Sequence, residues 1–117
     1  MIHTAILSGM LSSLFVLATA YAQDKCSAIH FAPGHSSATL KGIAPPEAGV
    51  CYTFAAAAGQ TANLKVAGRN MIITVIGIGD ARDAWTFKTE AQTYKFIVAQ
   101  LMRSVTSEPY TVTLSVK

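Results

Sequence analysis

Charge is scarce in this 117-residue chain: 13% of residues are Asp, Glu, Lys or Arg, and no run of like charges occurs. The formal net charge of +3 is spread thinly along it. A nucleic-acid surface needs a clustered basic patch with aromatics between, so nucleic acid is not an expected partner. A zinc site takes about four ligands, and beside the two cysteines only His30 and His35 could add to them. His30 and His35 flank the Pro33-Gly34 turn with no ligand spacing. Gly77-Ile-Gly79 lacks the third glycine and the helix of a dinucleotide fingerprint. No metal or cofactor is therefore expected.

Catalytic groups are equally sparse. Asp80, Asp83 and Glu90 are the only grouped acids. Glycoside hydrolysis takes two carboxylates across a cleft, in environments that separate their pKa values. In so small a chain these acids read as solvated, with a small hydrolase or a bound Ca²⁺ as minor alternatives. His35, Ser36 and Ser37 imitate a serine–histidine pair. Nucleophilic catalysis needs a base in reach and a third group orienting it, whereas neighbours on an extended strand face opposite ways. The run reads as turn chemistry, with a part in a binding loop as the lesser reading. No enzyme activity is expected.

The amino terminus resembles an export signal. Ala5 to Ala20 is mostly apolar and uncharged, and Ala18-Thr-Ala20 and Ala20-Tyr-Ala22 fit the small-residue cleavage pattern. Residues 1–22 are expected to be removed, leaving a single domain over residues 23–117. The alternative is an uncleaved anchor, but ~15 apolar residues are short of the ~20 that span a bilayer. Gln23-Asp-Lys25 before Cys26 argues against a lipid anchor. Export permits a disulfide between Cys26 and Cys51, and a loop of this size would stabilise by about 3 kcal/mol. Two free buried thiols are the alternative.

Beyond the signal, period-two alternation predicts strands. They are expected over Ser27 to Phe31, Ser37 to Lys41, Val50 to Phe54 and Ala62 to Val66. Met71 to Ile78 is nearly all apolar and reads as a strand covered on both faces. Gly77, Gly79 and Asp80 then open a loop. Trp85 to Phe87, Tyr94 to Ala99 and Tyr110 to Lys117 follow as strands. Ala91 to Arg103 tolerates a helix by composition, but Tyr94-Lys-Phe-Ile-Val98 favours strand. About eight short strands predict an all-β, small antiparallel sandwich or barrel. Trp85 and Tyr52 read first as core, with a sugar-stacking platform as the alternative.

Several segments together resemble a known family. Phe31-x-x-Gly34-His35-Ser36-Ser37-Ala38, Tyr52-Thr53-Phe54 and Gly59-Gln60 are similar to segments of the periplasmic inhibitors of g-type lysozyme. Tyr94 to Val98, Gln100, Arg103 and the closing Tyr110 to Lys117 extend the likeness across nearly the whole domain. A looser similarity links the chain to i-type lysozyme inhibitors and to pre-peptidase C-terminal domains. The resemblance implies a β-sandwich in the periplasm that binds a lysozyme, g-type before i-type, and places loops in its cleft. Arg103 matches a loop arginine that meets the enzyme's acidic centre. Tyr94, Gln92, Ser104 and the turn of His35, Ser36 and Ser37 are the further implied contacts, although Tyr94 by its strand position reads first as core or half-buried packing. The loop after Arg103 is shorter and less basic than the family's, and Ala91-Gln92-Thr93 stands where relatives carry Ser-Gly. The competing reading is a non-inhibitory pre-peptidase-like module that binds glycan or polypeptide.

Overall fold

The computed structural model describes residues 25–117; the expected signal, residues 1–22, and its cleavage point lie outside the described residues. Nine strands follow one another: β1 (Ser27–Ala28), β2 (Ser37–Ala44), β3 (Val50–Ala56), β4 (Thr61–Ala67), β5 (Met71–Val75), β6 (Gly79–Arg82), β7 (Ala84–Lys88), β8 (Gln92–Gln100) and β9 (Glu108–Val116). They form two sheets, ordered β1-β3-β8-β5-β6 and β2-β9-β4-β7. Every pairing is antiparallel except β1 with β3. The all-β sandwich expected from the alternation is what forms, and Ala91 to Arg103 holds strand β8 rather than a helix.

Three expectations need correction. Ser27 to Phe31 is not one strand, since only Ser27 and Ala28 pair with β3, although the Ile29 amide still donates to Thr53 O. Met71 to Ile78 does not run through as a strand covered on both faces. β5 stops at Val75, the Ile78 amide bonds back to Val75 O, and Gly77 takes φ 84° to make the turn. Ile76 and Ile78 are consequently exposed. The expected Gly79-Asp80 loop is instead β6, which returns along β5 as a ninth strand.

Inward residues of both sheets make one core. Tyr52 and Phe54 of β3 are register partners of Phe96 and Tyr94 of β8. Their rings stack at 5.3 Å (Tyr52–Phe96) and 5.5 Å (Phe54–Tyr94), a favourable cross-strand arrangement. Leu64, Val112 and Leu114 face them from the other sheet, all essentially buried. Two buried polar bonds cross between the sheets. Tyr52 and Tyr110 share a hydrogen bond of 2.6 Å between their hydroxyls, and Trp85 Nε1–H donates to Ile73 O at 3.0 Å. Both satisfy groups that would otherwise be costly to bury. Gly42 pairs with Tyr110, and a Cβ there would collide with the Tyr110 ring.

Cys26 and Cys51 form a disulfide, their Cα atoms 4.5 Å apart. It ties the two-residue edge strand β1 to β3. Reducing it or replacing both cysteines with serine should lower unfolding stability by about 3 kcal/mol, measurable by urea denaturation.

Burial, then the bond to Tyr52, pushes the Tyr110 hydroxyl well above its ordinary value of 10.0. The folded state therefore keeps a proton that the unfolded chain releases. That contribution is intact below pH 10.0 and is lost as pH rises beyond it. Tyr110→Phe should cost about 1 kcal/mol at neutral pH yet show a shallower alkaline loss, checked by denaturant titrations across pH.

Candidate functional site

β8 lies in the middle of one sheet and β9 inside the other. The segment joining them, residues 101–107, must therefore cross the end of the sandwich, and Arg103 and Ser104 sit on it. Beside it lie the β2–β3 connection, residues 45–49, and the β4–β5 turn, residues 68–70. The other predicted contacts are elsewhere. Gln92 pairs with Ala56 at the far end of β8, and Ser37 pairs with Ser115 near the end of β9. His35 and Ser36 share a depression with Ala56 and Gln60 at that same far end. Eight strand residues of about 3.3 Å each put Gln92 ~26 Å from Gln100 along β8. The implied contact set thus divides into two surfaces at opposite ends.

Bonds rather than length fix the Arg103 segment. Asn70, in the left-handed region at φ 63°, grips its first limb. Asn70 Nδ2–H donates to Met102 O at 2.9 Å, and the Met102 amide donates to Asn70 Oδ1 at 2.8 Å. The Leu101 amide donates to the Asn70 carbonyl at 2.8 Å. Gln100 holds the second limb, donating to Thr106 O at 2.9 Å and to Ala44 O at 3.1 Å. Its Oε1 accepts from Asn70 at 3.2 Å. Within the segment, Ser104 Oγ accepts from the Thr106 amide at 3.1 Å. The Ser104 hydroxyl is therefore engaged in holding the loop that presents Arg103.

The surface so presented is mixed in character. Of the six exposed large hydrophobic residues described, Ile43, Leu101, Met102 and Val105 lie at this end, with Val105 93% exposed. Interfaces favour methionine and arginine in this way, and solvated loops do not need them. Leu101, Met102 and Arg103 face Pro46, Glu47 and Gly49 across an open depression of about 640 Å³. Arg103 is exposed and, among the described residues, forms no ion pair.

The opposite end is built differently. The His35 amide donates to Ala32 O at 2.9 Å, and Gly34 takes φ 80°, closing the expected Pro-Gly turn. Buried Thr89 donates its hydroxyl to Ala57 O at 2.6 Å and anchors the Gly59-Gln60 turn. Tyr94 is 3% exposed, and its hydroxyl accepts from the Glu90 amide at 2.8 Å. Its ring cannot meet a partner and acts as core. The stacking platform of Trp85 and Tyr52 does not form, because both rings are turned inward and are 8% exposed each. Among the described residues, no group of three or more His, Cys, Asp or Glu is arranged to hold a metal ion.

Sequence reasoning missed Asn70, Thr89 and the role of Gln100. Asn70 was legible as part of a turn, and a turn asparagine that tolerates positive φ was the available signal. Nothing local shows which backbone its side chain reaches.

The two-sheet sandwich shares the fold of a pre-peptidase C-terminal domain. The pre-peptidase C-terminal domain of a Bacillus anthracis collagenase matches with a TM-score of 0.58 at 17% identity, over 80% of this chain and 95% of that one. More particularly, the chain resembles the periplasmic inhibitors of g-type lysozyme. The inhibitor from Aeromonas hydrophila, PliG, matches with a TM-score of 0.68 at 26% identity, over 80% of this chain and 96% of that one. Salmonella Typhimurium PliG matches at 0.67 and 20% identity, over 81% of this chain and all 100% of that one. The resemblance read from the sequence segments is borne out. No family model and no curated protein sequence matches the chain.

Asn70→Gly keeps the left-handed turn available but removes the clamp. It should release the Met102 amide to hydrogen exchange, with a cost of about 1–2 kcal/mol locally, while the Leu101 amide keeps the backbone carbonyl of residue 70 as its acceptor. Protection at Val112, in the core of β9, should be unchanged.

Proposed function

We propose that this chain is an exported, periplasmic inhibitor of a lysozyme, with the g-type enzyme as first target and the i-type as second. The observation that carries the reading is Arg103 itself: a guanidinium without an ion pair among the described residues, on a clamped loop that also exposes Leu101, Met102 and Val105. Likeness to the Aeromonas inhibitor supports it.

The physical logic runs from charge and preorganisation. A muramidase cleft holds carboxylates that hydrolyse the glycosidic bond. A guanidinium forms a charge-assisted, often bidentate pair with a carboxylate, stronger than a neutral bond. The apolar side chains around Arg103 exclude water as the loop seats, so the pair is desolvated at the centre of the contact. Asn70 and Gln100 hold the loop before binding, which reduces the entropy lost on association. No cofactor is needed. Residues 1–22 would direct export, and Cys26–Cys51 suits an oxidising compartment.

Within this reading Arg103 is the principal contact and Ser104 positions it. His35, Ser36, Ser37 and Gln92 form a separate surface at the far end. Tyr94 supports that end from the core.

Purified oxidised protein, residues 23–117, should inhibit cell-wall lysis stoichiometrically by g-type lysozyme and less by i- and c-type enzymes. Arg103→Ala should weaken inhibition at least about tenfold, as loss of a central interface arginine does. Selective inhibition unaffected by that substitution would remove Arg103 from the contact. No inhibition of any class at micromolar excess would overturn the reading.

A further inference from the structure

We infer that Arg69 is a second, specificity-determining guanidinium of the same contact, and that the partner surface carries two separate acidic groups, one for each arginine. This rests on the inhibitor reading and adds to it a residue from a different element. The chain has three arginines. Arg82 lies over the Trp85 ring, its guanidinium carbon 4.8 Å from the ring centroid, and is engaged there. The other two stand at the Arg103 end. Arg69 is exposed and, like Arg103, forms no ion pair among the described residues.

The bonds already described set the relation between the two. Asn70 and Met102 are joined by a reciprocal pair of hydrogen bonds. Arg69 immediately precedes one partner and Arg103 immediately follows the other. Adding ~3.8 Å per residue on each side of that bridge puts their Cα atoms within roughly 15 Å. The turn bearing Arg69 is itself held in place. Gly68 takes φ 148°, and a Cβ there would come within 2.8 Å of Pro109 O, so no ordinary residue fits without a shift. The arginines therefore project from two backbone segments fixed to each other, with exposed Leu101 and Met102 beside the bridge.

Such an arrangement suits two carboxylates flanking an apolar wall. A single carboxylate would need only one of the arginines. It does not suit a generic polyanion, because the surroundings are close to neutral. Glu47 lines the depression beside Arg103, Glu108 accepts a hydrogen bond from Thr106 at 3.4 Å, and Lys41 flanks the adjoining groove with Ile43 and Gly68. Recognition must then come from placement of the two guanidiniums rather than from bulk charge.

The test uses the whole mature chain against g-type lysozyme, comparing wild type with Arg69→Ala, Arg69→Lys, Arg103→Ala, the double alanine variant and Glu47→Gln. Inhibition constants are measured at low and high salt, and thermal midpoints confirm folding. Arg69→Ala should weaken inhibition about fivefold with an unchanged midpoint, as for a charged interface contact outside the centre. Arg69→Lys should recover part of that loss, because the charge remains and the bidentate fork does not. The losses from Arg69→Ala and Arg103→Ala should multiply in the double variant, as they do for independent contacts. Glu47→Gln should tighten binding a few-fold by removing a like charge. Wild-type inhibition weakened by Arg103→Ala but unmoved by Arg69→Ala would overturn this inference and leave the inhibitor reading standing. A strongly sub-multiplicative double variant would mean one shared acid and overturn the two-acid form. Failure of wild type to inhibit any lysozyme would remove both.

Discussion

Tyr52 stacks on Phe96 and Phe54 on Tyr94 because β3 and β8 pair in register with their aromatic positions on the same inward face. The rest of the molecule depends on that block. It gives the five-stranded sheet a broad apolar surface, which only a second sheet can cover. β4 and β9 supply the cover through Leu64, Val66, Val112 and Leu114. The Tyr52–Tyr110 hydroxyl bond and the Trp85 bond to Ile73 O then tie the two sheets together at two buried points. Glycine at position 42 leaves room for the Tyr110 ring.

Placing β8 and β9 in the interiors of different sheets has a consequence for function. Their connection cannot lie along an edge and has to pass over the end of the core. A crossing of this kind, residues 101–107, would be mobile if only its termini were held. Asn70 and Gln100 give it two further attachments, one on each limb. Rigidity at Arg103 thus comes from neighbouring elements, and the brevity of the segment helps by leaving little chain between the attachments.

Exposure of Leu101, Met102, Val105 and Ile43 at one end runs against solubility, and the same residues would be better covered. Their presence at the end that bears Arg69 and Arg103, neither ion-paired among the described residues, distinguishes it from the far one. There the turns of His35 and Gln60 are closed by backbone bonds and by the Thr89 hydroxyl. One end of the chain therefore exposes apolar side chains beside arginines, and the other is closed by internal bonds. The contacts that the family resemblance implied as one set are distributed over both.

The alternation of Val50 to Phe54, Tyr94 to Val98 and Tyr110 to Val116 was enough to place three strands and their buried faces, because period-two patterning is a local property of an extended chain. The Pro33-Gly34 turn was legible for the same reason. Met71 to Ile78 was misread because an apolar run does not reveal where Gly77 turns the backbone back. β6 was unforeseen because Gly79-Asp-Ala-Arg82 has no apolar period; it pairs through backbone bonds to β5. Cys26 with Cys51 was readable as the permitted pair from the cysteine count and the expected export, and Arg103 was singled out by the family resemblance. Only the tertiary structure decided that Arg103 and Gln92 occupy opposite ends and that Asn70 holds the loop. Those facts depend on which strands lie side by side and on hydrogen bonds between residues about thirty positions apart, and no local pattern in the chain records such pairings.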